Sequence, residues 1–218
     1  MTALPPAARP PVIYRHILVG IGVLIVIVAA ARFFIYPGRP DASSDLRRIN
    51  IVPPFALTER NGKTITNNDL FGKIWVADFV YTTCPGPCPL VSANMARIQS
   101  TVANDPNVQL VTFTVDPTVD TPVILSTYAN QFHADKNRWW FLTGSEKPMY
   151  DLIRNGFFLP MVDNSGQPVE PGQYKVTHST QLALVDAHGV IRGFYDGVPA
   201  KDNAELLKAI AILEKEKS

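Results

Sequence analysis

The chain is predicted to fold as an α/β domain behind a membrane segment, and three observations carry that expectation. Two apolar runs of strand length, Ile74–Tyr81 (IWVADFVY) and Val108–Val115 (VQLVTFTV), suit central strands covered on both faces. Proline-started segments with helical apolar spacing follow each of them, at Pro89–Val102 and Thr121–Phe132. Two further runs, Gln181–Val185 and Val190–Phe194, flank an Asp186-Ala187-His188-Gly189 turn and read as a hairpin. A βαβ start followed by an antiparallel hairpin and a last helix is the order of a thioredoxin-like sheet.

The other elements fit this frame. Phe55–Thr58 and Lys63–Ile65 flank Asn61-Gly62 and read as a small N-terminal hairpin. Trp139–Leu142 is a short strand, and Pro148–Asn155 is a helix stopped at Gly156. Asn203–Lys215 closes the chain as an amphipathic helix. With 46% hydrophobic and 18% charged residues in 218, a filled core is available and wholesale disorder is excluded. One domain is expected over residues 51–218.

Residues 1–16 hold Pro5, Pro6, Pro10 and Pro11 and read as a head without regular structure. Ile17–Ala31 carries no charge, and apolar character resumes after Arg32 through Tyr36. Twenty helical residues span about 30 Å, the thickness of a hydrocarbon core. The competing reading is a cleaved signal peptide with Ala29-Ala30-Ala31 at its end. The apolar, aromatic continuation to Tyr36 favours an uncleaved anchor over residues 17–36. Residues 37–50, polar and with two prolines, read as a linker. Arginines flank the anchor on both sides, so charge alone does not orient it.

The net charge of +1 is unevenly spread. Four of the 20 basic residues lie in the first forty positions, which hold no acid; the remainder has 16 basic against 19 acidic residues, net −3. That balance, without a Lys/Arg cluster, argues against nucleic-acid binding. Two cysteines exclude a disulfide-dense scaffold, a four-cysteine zinc site and a four-thiolate iron–sulfur cluster.

Both cysteines fall in Thr82-Thr83-Cys84-Pro85-Gly86-Pro87-Cys88-Pro89, past the carboxyl end of the first central strand. Loops at that edge carry functional groups in α/β folds. A bridge across so short a loop removes little chain entropy, so a purely structural disulfide is disfavoured. Three intervening residues exclude the CxxC redox motif and c-type haem attachment. Cys88 is expected at the N-cap, where unpaired N–H groups would lower its pKa. Paired thiolates suit Cu(I), and zinc as well, and either needs a further donor.

His16 flanks the membrane segment, His133 ends a helix, and His188 sits in the hairpin turn. His178, in Val176-Thr177-His178-Ser179-Thr180, stands directly before the strand Gln181–Val185, and in a thioredoxin-like sheet the loop before that strand faces the cysteine loop. It is the candidate third donor. Asp116, in Asp116-Pro117-Thr118-Val119-Asp120-Thr121-Pro122, lies past the second central strand on the same edge. It is a candidate support or partner contact, beside the simpler reading that Asp116 starts a turn and Asp120 or Thr121 caps the next helix. Trp139, Trp140, Met95 and Met149 read as packing residues, and Met161 as a loop residue.

On these motifs, together with Trp139-Trp140-Phe141-Leu142-Thr143-Gly144 and His178-Ser179, the chain resembles the SCO/SenC family of copper-binding assembly proteins of cytochrome c oxidase. The resemblance runs from Phe55 to the C-terminus. It implies one copper per chain held by Cys84, Cys88 and His178, and a thioredoxin-like fold with an inserted hairpin, here about Phe157–Lys175. It also implies an anchored domain facing the periplasm or the mitochondrial intermembrane space, hence an inside N-terminal head. That head is neither Arg/Ser-rich nor amphipathic, which favours a bacterial inner membrane, with a cytosolic head and a periplasmic domain, over a mitochondrial presequence. The implied partner is the copper-site subunit of the oxidase, with a second copper chaperone as another. Gly86-Pro87 departs from the acidic or larger residues many members carry there. A rival reading is a thiol–disulfide oxidoreductase that keeps the oxidase copper-site cysteines reduced, using Cys84 and Cys88 as its redox pair; a peroxidase-like thiol enzyme is a third.

Overall fold

The computed structural model describes residues 46–163, 176–198 and 202–217, the backbone alone at 161–163, 176–178 and 217. The chain divides into Met1–Asp45 and Leu46–Ser218. The expected head, anchor and most of the linker therefore lie outside the described residues. Among the described residues no helix is long and apolar enough to cross a membrane.

The second unit is built on an eight-stranded sheet, in spatial order β1 (Asn50–Ile51), β10 (Val190–Asp196), β9 (Gln181–Val185), β4 (Ile74–Val80), β5 (Val108–Thr114), β6 (Trp139–Thr143), β2 (Ala56–Glu59) and β3 (Thr64–Thr66). Its centre is β4 (Ile74–Val80), β5 (Val108–Thr114) and β6 (Trp139–Thr143), mutually parallel. Every residue of β4 and β5 is buried, as expected where both faces of a sheet are covered. β9 (Gln181–Val185) joins β4 antiparallel, and β10 (Val190–Asp196) folds back on β9. At the far side β2 (Ala56–Glu59) and β3 (Thr64–Thr66) form the expected hairpin, and Gly62 takes the positive φ of 89° that its turn requires.

The connections set the layers. α1 (Asn67–Leu70) precedes β4, α2 (Cys88–Thr101) links β4 to β5, and α3 (Pro122–Gln131) links β5 to β6. Both links step in one direction across parallel strands, so right-handed crossovers put α2 and α3 on one face. The Ser92 and Tyr128 hydroxyls, 2.9 Å apart, join the two helices. On the other face Phe157 packs among Trp75, Phe79 and Phe113, with ring centroids 4.9–6.0 Å away.

Several boundaries differ from expectation for local reasons. The helix expected at Pro148–Asn155 is α4 (Glu146–Asp151) followed by a π-helical turn, Leu152–Gly156. Pro53 leaves no room for a side chain at Gly156, the glycine where the expected helix stops. The linker reading extends to residue 50, yet Asn50–Ile51 form an edge strand, β1, on β10. Arg192, buried, donates to the Leu46 and Arg47 carbonyls while its guanidinium meets Asp186 and Glu216 at 3.1 and 2.8 Å. That one side chain ties the domain entrance to the β9–β10 turn and to the last helix, α5 (Ala204–Lys217).

A two-stranded antiparallel pair, β7 (Met161–Asp163) and β8 (Val176–His178), stands where the inserted hairpin was expected, but its second strand lies past Lys175 and includes His178, which is opposite Met161. Phe157→Ala should destabilise the domain by about 3–5 kcal/mol, read by denaturant titration, because it empties the centre of the aromatic cluster.

Candidate metal centre

The cysteine loop leaves the carboxyl end of β4 and turns at once. The Cys84 N–H donates to the Tyr81 carbonyl at 3.3 Å. Pro87, with φ −75° and ψ −21°, is the N-cap of α2, and its carbonyl accepts from Leu90 and Val91 at 2.9 and 3.0 Å. Cys88 is therefore the first helical residue and Pro89 the second, one position on from the expected register. The two cysteines are not joined by a disulfide; Cys84 is 8% exposed and Cys88 fully buried.

The thiols hydrogen-bond to one another, and this reverses an expectation. The contact with Cys84 pushes the Cys88 thiol up, burial adds to it, and a backbone hydrogen bond from Tyr81 only partly opposes them. The start of α2 does not lower this pKa, because a neighbouring sulfur and lost water outweigh the helix end.

Asp120 fastens the loop. Its carboxylate accepts from the Thr82 N–H at 3.1 Å, from the Thr82 hydroxyl at 2.5 Å and from the Thr114 hydroxyl at 2.5 Å. It thereby joins the residue two before Cys84 to the end of β5. Burial pushes Asp120 up, against those hydrogen bonds. The helix cap belongs to Thr121, whose hydroxyl accepts from the Ile124 N–H at 3.4 Å. Asp116 is buried at the turn after β5. It accepts from the Thr118 hydroxyl at 2.7 Å, and its own N–H donates to Thr114 Oγ1 at 3.0 Å.

Behind the cysteines lies a buried polar group that the sequence reading passed over. Asp78, fully buried in β4, accepts from the Thr112 hydroxyl at 2.6 Å, and Trp139 Nε1 donates to that same hydroxyl at 2.8 Å. Asp78 Oδ2 has no hydrogen-bond partner. Burial pushes the Asp78 carboxyl up to about 7. Its charge in turn raises Cys88 and Tyr128, which places all three in one electrostatic neighbourhood. A lone acid inside IWVADFV was the available signal, since charges seldom enter a central strand without a role.

His178 ends β8, with its side chain outside the described residues. The backbone just beyond it is fixed against the cysteine helix. The Gly197 N–H donates to the Thr180 carbonyl at 3.1 Å, and a Cβ on Gly197 would stand 3.3 Å from Val91 Cγ2 on α2. Of the other histidines, His133 follows α3 in the left-handed region at φ 52°, and exposed His188 packs its ring edge-on against Phe71. Met95, Met149 and Trp139 are core residues. The side chain of Met161 lies outside the described residues. Among the described residues no group of three His, Cys, Asp or Glu is arranged to hold a metal ion. The described part of the candidate centre is the dithiol itself, a pair of soft donors.

Fold and loop together define a thioredoxin-like protein with a dithiol at the carboxyl edge of its sheet. The SCO1/SenC family model matches residues 43–213, and the chain belongs to that family. A SCO1/SenC family lipoprotein from Bacillus anthracis superposes with a TM-score of 0.69 at 30% identity, covering 78% of this chain and 99% of that one. BsSco, described as a member of the Sco family of cytochrome c oxidase assembly proteins with a disulfide switch, gives 0.63 at 26% identity over 78% and 95%. ScoI of Bradyrhizobium japonicum, solved with copper bound, gives 0.58 at 26% identity over 76% and 98%.

The buried acid generates a pH-dependent prediction. A carboxyl with a folded pKa near 7, against about 3.9 when unfolded, stabilises the fold fully below the lower value. That contribution is lost as pH rises through 7. Asp78→Asn, which mimics the protonated acid, should melt close to wild type at pH 4. At pH 8 it should be more stable by on the order of 2 kcal/mol, roughly 4–8 °C. Melting curves at the two pH values check this.

Proposed function

We propose that this protein is a membrane-anchored copper metallochaperone of the bacterial inner membrane. Its domain faces the periplasm and delivers copper to the dinuclear copper site of cytochrome c oxidase. Cys84, Cys88 and His178 hold one Cu(I) per chain as cargo. The observation that carries the reading is the pair of thiols, not joined as a disulfide, that hydrogen-bond to each other at an edge loop. Cu(I) prefers soft sulfur donors, and a three-donor site leaves the ion open to ligand exchange. The copper bound to the Bradyrhizobium ScoI and the oxidase-assembly role given for BsSco support the same cargo and client.

His178 completes the donor set. Its support comes from the strand that leads into β9 and from the Gly197–Thr180 hydrogen bond, which holds that backbone beside α2. Residues 17–36 provide the anchor. The periplasmic orientation follows from the client, whose copper site must be reached outside the cytosol.

Binding requires deprotonated sulfur, so loading releases protons and an oxidised pair takes up no metal. The reduced protein should bind about one copper per chain, and Cys84→Ser or Cys88→Ser should abolish tight binding, read by metal content after dialysis against a Cu(I) chelator. His178→Ala should weaken binding ~10–100-fold and leave the Cys84–Cys88 reduction potential nearly unchanged. Normal oxidase assembly at low copper in His178→Ala cells, with failure in Cys84→Ser cells, would favour the thiol–disulfide oxidoreductase instead.

Gly197→Ala provides an independent check on the histidine. The added methyl would collide with the Thr180 carbonyl oxygen, and neither backbone can yield cheaply. Copper affinity should fall while the two thiols remain titratable by alkylation; unchanged affinity would count against a donor on this segment.

A further inference from the structure

Two large apolar side chains stand exposed at the edge of the sheet opposite the dithiol. Phe71 is 69% exposed and Ile51 66%. They line one cavity of about 110 Å³, together with Asn67, Trp75 and His188. The His188 ring meets that of Phe71 edge-on, with centroids 6.0 Å apart. His188 also lines an adjoining cavity of about 190 Å³ with Arg48, which is exposed. One histidine thus joins an aromatic ring, an aliphatic side chain and a cation into a single corner of the surface.

The corner is held in place by its backbone. Gly72 takes a positive φ of 81°, and its N–H donates to the Ala187 carbonyl at 2.9 Å. The Lys73 N–H donates to the Leu70 carbonyl at 3.1 Å, and the Val52 N–H to the Gly189 carbonyl at 2.9 Å. The chain beside Phe71 and the chain beside Ile51 are therefore both pinned to the β9–β10 turn. Adjoining apolar side chains held in water on a fixed backbone, with polar groups around them, mark a contact surface. The acids nearby are taken up. Asp186 and Glu216, in the cavity that Arg48 lines, both pair with Arg192, and Asp69 pairs with Lys63 at 3.4 Å. Asp105 and Asp135 precede β5 and β6, on the other side of β4 in the sheet. Arg47 and Arg48 are exposed and enter none of the ion pairs between described residues.

What covers this corner follows from where the chain enters the domain. Residues 37–45 number nine, so even fully extended they hold Leu46 within about 32 Å of the end of an anchor at residues 17–36. Ile51 stands five positions beyond Leu46. A surface tethered at that range meets the bilayer at an effective concentration of roughly millimolar order, so a weak contact is populated. The bilayer interface takes up aromatic and aliphatic side chains, and basic side chains beside them meet lipid phosphates. We infer that the Arg48–Ile51–Phe71–His188 corner rests on the surface of the lipid bilayer, with Phe71 and Ile51 inserted at the headgroup boundary. The inference rests on the anchor proposed above and adds how the domain is oriented on the membrane. Phe71 precedes the amino end of β4 and the dithiol follows its carboxyl end, so this seven-residue strand separates them by on the order of 20 Å. A domain seated on this corner turns its thiols away from lipid and leaves them open to a protein acceptor.

The test uses the full chain in nanodiscs of equal parts phosphatidylcholine and phosphatidylglycerol, with or without bromine on the upper acyl chains. Phe71→Trp puts a fluorophore at the corner, and Leu90→Trp puts one at the dithiol edge. Both positions are more than half exposed, and melting curves check that each variant folds. The emission that Phe71→Trp adds to wild type should shift blue in discs. It should fall at least ~2-fold with brominated lipid, because interfacial side chains reach ~5–10 Å into the headgroup boundary, within range of the bromines. The emission that Leu90→Trp adds should not change. Adding Ile51→Asp to Phe71→Trp should abolish the quenching. Unquenched emission from Phe71→Trp, equal quenching of both variants, or quenching untouched by Ile51→Asp would overturn the inference. A blue shift without quenching would assign the corner to protein, a second copy of the chain if it fades at one chain per disc, and would overturn it too. A wild-type chain that separates from the discs on gel filtration would overturn the anchor and this inference together, whereas a retained chain with unquenched Phe71→Trp overturns this inference alone.

Discussion

The site depends on one buried carboxylate. Asp120 accepts from the backbone and the hydroxyl of Thr82 and from the hydroxyl of Thr114. Its own residue is the last before the cap of α3. Three pieces of chain that meet only in the folded state, the cysteine loop, the end of β5 and the start of α3, are thus held by one side chain. A loop rich in proline has few N–H groups of its own with which to hold a shape. Fixing it from outside, by an acceptor with two oxygens, gives the two sulfurs a defined separation without a covalent link between them. Removing such an acceptor would leave buried donors unsatisfied, at ~1–3 kcal/mol each.

That arrangement explains why the domain can bury its reactive groups so deeply. Cys88 sits fully inside, over a layer made of Asp78, Thr112, Trp139, Ser92 and Tyr128. The hydrogen bond from its neighbour, with burial added, holds the proton on Cys88, and burial holds it on Asp78. A soft cation that binds sulfur strongly can displace those protons. Water and hard cations gain far less from such a site, since they prefer oxygen donors.

Much of this architecture was legible in the sequence because it is local. Asn61-Gly62 announces its turn, prolines mark the starts of α2 and α3, and the unbroken apolar runs mark β4 and β5. The cysteines and the order of elements around them were enough to find the dithiol edge. The features that escaped are pairings between distant residues. Asp78 meets Thr112 across two strands, Asp120 reaches back 38 positions to Thr82, and Arg192 reaches 146 positions to Leu46. The rise of the Cys88 pKa escaped for the same reason: it depends on a neighbouring sulfur and on what covers both, while the helix-end rule sees only the helix.

The position of β9 separates the two parts of the centre in folding order. The cysteines belong to β4–α2–β5–α3–β6, a run of consecutive right-handed units whose contacts are mostly short in sequence. His178 arrives just ahead of β9, which pairs with β4 in a long-range antiparallel register, Trp75 opposite Val185 110 positions on. Loop closure of that length is slow compared with the βαβ steps. That order predicts a stage of folding in which the dithiol half is organised and the segment bearing the proposed third donor has yet to dock. In that stage both sulfurs would lack the proposed third donor and part of their cover. Oxidation and capture by the wrong metal are hazards of this chain's youth, and insertion of one central strand ends them.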